Sequence, residues 1–100
     1  MRLELRDGQW ADLRERLTYE QAKGVRVASL AIKSDRTALA DFDLALVRAY
    51  VSAWHVIGIT GEAVPLDTPE TAPDDIIQPI AAAALDIWNG QPDPKGTPPS

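Results

Sequence analysis

Hydrophobic residues recur with a helical period through "TALADFDLALVRAYVSAWHVI". Leu39, Phe42, Leu46, Tyr50 and Trp54 surround most of the circumference there, while Asp41, Arg48, Ser52 and His55 fall on one narrow stripe. A helix apolar on so many sides belongs at the centre of a fold. The pattern predicts a central helix over about 36–57, with Ser34 or Asp35 as its N-cap. A second helical pattern covers about 18–33. Thr18 followed three residues later by Gln21 is a capping box, Glu20 sits in the first turn, and Tyr19, Ala22, Val25, Leu30 and Ile32 form a patchy apolar face. Gly24 weakens this helix by about 1 kcal/mol relative to Ala. Val25, Val27 and Ser29 also alternate, so residues 24–32 fit an extended strand as well; helix is the reading adopted. A third helix is expected over about 75–89, with Ile77, Ile80, Ala81, Ala84 and Trp88 on one face and Asn89-Gly90 as its stop. Pro79 must lie in the first turn or kink this helix, which argues for a start near Asp75.

Two segments follow a period of two instead. "RLELRDGQWADL" alternates on both sides of Asp7-Gly8, a pair suited to the positive φ angles of a type I′ turn, and predicts a hairpin over 2–13. A lone hairpin is barely stable, so Leu3, Leu5 and Trp10 need a surface to pack on. "IGITGEAVPLDTPETAP" carries glycines and prolines that no helix interior accommodates, and Ile57–Thr60 can pair with Ala63–Leu66 about Gly61-Glu62 as a second small hairpin. Residues 91–100 hold four prolines and no apolar side chain, the composition of a disordered tail. The expected architecture is therefore mainly α. It is one domain over 1–90, a three-helix body with an N-terminal β-hairpin and a second small hairpin between the last two helices. Its expected core is Trp10, Phe42, Leu46, Tyr50, Trp54, Ile77, Ile80 and Trp88, the three tryptophans falling one per element.

Composition narrows the function classes. The chain has 100 residues, 45% of them apolar, and no cysteine, which removes disulfides and thiolate metal sites. "MRLELRDGQW" has no apolar signal-peptide core. The longest apolar run, residues 44–59, is interrupted by Arg48, Ser52 and His55 and falls short of the ~20 residues that span a bilayer. No membrane contact is expected. The net charge of −5 is uneven: residues 1–36 carry eight Lys/Arg against six Asp/Glu, whereas residues 37–100 carry two against nine. A phosphate backbone would be repelled by that rear half, so nucleic acid is not an expected partner. The asymmetry suits either a basic protein partner or a plainly solvated acidic surface.

No catalytic constellation emerges. His55 is the one histidine, and its neighbours at helical spacing, Ser52 and Ile59, supply no carboxylate; it reads as an exposed helix-end histidine. Asp41 and Asp43 point to different helix faces, Asp74-Asp75 is capping chemistry, and "TGEAV" lacks the lysine and spacing of a phosphate loop. The expectation is a non-enzyme with no cofactor and no metal. The remaining candidate is the exposed loop Ile59, Thr60, Gly61 and Glu62, a partner-binding segment held on a rigid scaffold.

The opening "MRLELRDGQWADLRERLT", the segments "LVRAYVSAWHV" and "GITGEAVPLD", and the closing "AALDIWNGQPDPKG" resemble small tail-gene-cluster proteins of tailed bacteriophages, notably those infecting actinobacteria, described as tail assembly chaperones. The W-x-x-x-x-x-x-G-x-x-V-P-L pattern from Trp54 to Leu66 and the stretch "ELRDGQWA" carry most of the likeness. The resemblance implies a non-catalytic protein of the bacterial host cytoplasm that binds the tape-measure protein and recruits tail-tube subunits during tail assembly. A structural virion component, such as a head–tail connector or minor tail protein, is the alternative. The resemblance also implies a longer product made by ribosomal slippage, and Asp93-Pro94-Lys95 permits a slippery heptamer in the codons GAC-CCA-AAG.

Overall fold

A computed structural model describes residues 1–34 and 38–90. It shows three helices and a small three-stranded antiparallel sheet. In chain order these are β1 (Arg2–Glu4), β2 (Trp10–Leu13), α1 (Tyr19–Ser34), α2 (Ala38–Tyr50), β3 (Val51–His55) and α3 (Asp74–Asn89), with a tight turn at Arg6–Gly8 and a single 3₁₀ turn at Pro69–Thr71. The sheet order is β1-β2-β3. The expected tail at 91–100, with its slippage codons, and the expected cap and first residues of the central helix at 35–37 lie outside the described residues.

The main correction concerns the central helix. It stops at Tyr50 instead of continuing to residue 57, and Val51–His55 passes directly into a strand against β2. A helix end leaves backbone carbonyls without intrahelical donors. Here Arg14 supplies them: its N–H donates to the Tyr50 carbonyl at 2.7 Å, and its guanidinium donates to Ala49 and Val51 carbonyls at 3.2 and 3.0 Å. The strand in turn completes the pairing of β2, which as half of an isolated hairpin would have had an open edge. Pairing runs Trp10↔His55, Ala11↔Trp54 and Asp12↔Ala53, and then shifts to Leu13↔Val51. That shift leaves Ser52 as the extra residue of a bulge, its hydroxyl donating to the Asp12 carbonyl at 3.3 Å.

At α1 both signals of its capping box are present: the Gln21 N–H donates to Thr18 Oγ1 at 3.3 Å and the Thr18 N–H to Gln21 Oε1 at 2.9 Å. Residues 24–32 are helical, and α1 ends at Ser34. In α3, Pro73 is the N-cap and its carbonyl accepts from the Ile76 and Ile77 N–H groups at 3.0 and 3.1 Å. Pro79 therefore lies in the second turn, not the first, where its missing N–H removes the i+4 donor of the Asp75 carbonyl.

Helix α2 packs against both α1 and α3. Leu46, Tyr50 and Ile80 are fully buried, each contributing about 1.5–3 kcal/mol of apolar transfer, with Ile77 beside them. Phe42, Trp54 and Trp88 are partly buried against this cluster. Trp10 is not in it. The pleat sends Ala11 and Leu13 inward, so Trp10 and Asp12 face the other side of the sheet. There Trp10 is half-buried beneath the Arg2 guanidinium, 4.0 Å from its ring centroid.

Candidate functional site

Glycine placement shapes the loop singled out from the sequence. The Gly58 N–H donates to the Glu62 carbonyl at 2.7 Å, the Val64 N–H to Val56 at 2.9 Å, and Ile57 and Ala63 form a single antiparallel bridge. The second hairpin thus exists as one bridge with flanking bonds, not as two strands. Its turn is closed by the Gly61 N–H on the Gly58 carbonyl at 3.0 Å and so centres on Ile59-Thr60, not on Gly61-Glu62. Gly61 has φ +85°, a conformation that costs an L-residue about 1–2 kcal/mol. At Gly58 a Cβ would lie 3.3 Å from both the Glu62 carbonyl oxygen and Val64 Cγ2. These constraints leave Ile59 87% exposed, with Thr60, Gly61 and Glu62 exposed beside it.

A residue overlooked in the sequence holds this loop in place. Gln9 is 6% exposed, the one buried polar residue among those described. Its Oε1 accepts from the Ile57 N–H at 2.8 Å, and its Nε2 donates to the Arg6 carbonyl at 3.2 Å. One side chain therefore ties the first hairpin turn to the start of the second. The turn itself has positive φ at both Asp7 (58°) and Gly8 (77°), as its sequence requires. Alternation along the strand puts Gln9 on the same face as Ala11 and Leu13, but which face turns inward is set by what packs on the sheet. On the far side of the loop, the Trp54 indole N–H donates to the Val64 carbonyl at 2.9 Å.

The N-terminus of α3 completes this end of the molecule. Asp75 forms an ion pair with Arg6, joining the first turn to the last helix. Arg6, Gln9, Ile57, Gly58, Pro73 and Ile76 line an open cavity of about 440 Å³ between the two turns and the helix end. The sequence-expected loop is therefore one wall of a three-part surface.

Electrostatic perturbations lie elsewhere. The hydrogen bond from Arg2, at 2.8 Å, lowers the Asp12 carboxyl below its ordinary value. Glu70 is lowered by its own backbone N–H and then by Arg48, at 2.8 Å. Asp43 is raised, chiefly by burial and then by the nearby charge of Asp74. His55 ends a strand rather than a helix, exposed across from Trp10, so the helix-dipole reading of it does not apply. Asp41 and Arg48 are exposed on α2, while Ser52 sits in the sheet bulge, so the expected polar stripe is broken at the helix end. Among the described residues no group of three or more His, Asp or Glu side chains is placed to hold a metal, and no buried side-chain N or O atom lacks a hydrogen-bond partner. No described helix is long and apolar enough to cross a membrane. No family model, curated protein or solved structure matches the chain.

Proposed function

We propose that the protein is a non-catalytic assembly factor that docks a protein partner through this three-part surface. In specific terms it is a tail assembly chaperone of a tailed bacteriophage, acting in the cytoplasm of the bacterial host. Its partners on this reading are the tape-measure protein and the tail-tube subunits. One observation carries the proposal. The two stretches most responsible for the resemblance, "ELRDGQWA" and Trp54–Leu66, are distant in sequence yet meet through Gln9, with Ile59 projecting into solvent beside them. An exposed large apolar side chain on a braced turn suits the anchor of a protein interface, whose energy concentrates in a few such residues.

Co-expression with the tape-measure protein of the same phage tests the idea. The wild-type chain is expected to co-purify with it, and Ile59→Asp, which leaves the core untouched, to lose at least tenfold in affinity. Failure of the wild-type chain to bind either tape-measure or tail-tube protein would overturn the chaperone reading. Mass spectrometry of purified particles addresses the alternative: stoichiometric presence in the mature virion would make the chain a connector or minor tail protein instead.

A further inference from the structure

Two unpartnered features lie side by side on α1, away from the loop surface. The first is an outward stripe. Tyr19, Val27 and Leu30 are 76%, 60% and 62% exposed, and with Lys23 they follow spacings of four, four and three residues along one helix face. The second is an open groove of about 470 Å³ between α1 and α2, with Gly24, Leu44, Ala45 and Ala49 along it and Glu20 and Asp41 at its rim. A Cβ built on Gly24 would have no heavy atom within 4 Å, so the glycine leaves the groove open there.

The charges of the two features are complementary. Glu20, Asp41 and Lys23 form no ion pair among the described residues, while Arg48, which also borders the groove, is already paired with Glu70. The groove therefore offers uncompensated negative charge over an apolar floor. The stripe offers a positive charge among apolar side chains. A solvent-exposed apolar stripe on a soluble-type helix marks an interaction surface when it is contiguous. Here the surface it fits is on the same protein.

We infer that a second copy of this chain covers both features, as a two-fold dimer in which α1 of each copy lies in the α1–α2 groove of the other. A two-fold contact is self-complementary, so stripe-to-groove packing occurs twice with one geometry. Tyr19, Val27 and Leu30 of one copy fill the floor beside Gly24 and Ala45 of the other, and Lys23 approaches Asp41 across the interface. The 16 residues of α1 make a rod about 24 Å long. Its footprint places the contact near the lower end of specific interfaces, roughly 1,000 Å² in total, so association depends on concentration.

Sedimentation velocity of the full chain from about 1 μM to 1 mM tests this. The wild-type chain is expected to shift from one copy to two across that range. Val27→Glu combined with Leu30→Glu, both at exposed positions, is expected to remain monomeric throughout with an unchanged melting temperature. Lys23→Glu and Asp41→Lys alone are each expected to weaken association at least tenfold, and the two together to restore it. Amide NMR shifts of Gly24 and Ala45 should follow the same concentration dependence. Ile59→Asp should leave the dimer intact, which separates this surface from the loop cluster. A wild-type chain that stays monomeric at 1 mM, variants that dimerise as the wild type does, or growth beyond two copies would each overturn the inference.

Discussion

Replacing Gln9 with alanine probes the joint on which the proposed docking surface depends. The side chain is almost fully buried and makes two hydrogen bonds, to the Ile57 N–H and the Arg6 carbonyl. Each such bond contributes about 1 kcal/mol net, and a donor left unpaired away from water costs a further ~1–3 kcal/mol. The Ile57 amide is only partly shielded, so the lower part of that penalty applies and the total is about 2–4 kcal/mol. In a domain of this size each kcal/mol moves the melting temperature by roughly 4–8 °C, so Gln9→Ala should lower it by at least about 8 °C. Urea unfolding followed by tryptophan fluorescence gives the free energy, and amide hydrogen exchange at Ile57 gives the local effect. Exchange at Ile57 should accelerate more than exchange in α2, because the loop detaches before the core opens. Gln9→Glu sharpens the test. Its carboxylate can accept from Ile57 but cannot donate to Arg6, so it should be less stable than Gln9→Ala at neutral pH and recover on acidification as the carboxyl regains a proton. A Gln9→Ala protein that melts within 2–3 °C of the parent, with unchanged Ile57 exchange, would refute the bracing role.

Other outcomes follow from the same contacts. Trp54→Ala should cost about 2–4 kcal/mol in chemical denaturation, since it removes half-buried ring packing and the bond to Val64, whereas Trp10→Ala on the outer sheet face should cost clearly less; equal losses would contradict the placement of Trp10. Gly61→Ala should destabilise by about 1–2 kcal/mol because of its φ of +85°, and a D-alanine introduced by synthesis should not. Asp43 has a folded pKa above its ordinary 3.8, so the native state binds its proton more tightly, and this group's contribution to stability grows as pH falls through that raised value and is lost as pH rises. Asp43→Asn should therefore melt higher than the parent at pH 7, with the difference closing below the ordinary carboxyl range. Asp12 and Glu70 are shifted the other way, so what their Arg partners contribute is present above their ordinary values of 3.8 and 4.5 and fades as pH falls through their lowered folded values. Thermal melts of Asp12→Asn and Glu70→Gln across that range should show a flatter acid limb than the parent.

The sequence determined what depends on neighbours along the chain. Thr18 and Gln21 set the start of α1, Asp7-Gly8 set the first turn, and the repeat of Ile77, Ile80, Ala81 and Ala84 set the buried face of α3. Each rests on local hydrogen bonding, allowed φ angles or a single periodicity. The candidate loop at Ile59 to Glu62 was legible for the same reason, since glycines flank an exposed turn whatever lies beyond it. What tertiary structure alone decided was where α2 ends and where the sheet's third strand begins. The apolar positions of residues 44–57 satisfy a helical period, and Val51, Trp54 and their neighbours serve equally on a strand. The choice was made by groups far away in sequence: Arg14, which caps the carbonyls of residues 49–51, and β2, which offers an unpaired edge. The same dependence put Trp10 on the outer face and Gln9 inside, because which side of a strand is buried is settled by the layer that packs on it and not by the hydrophobicity of one residue.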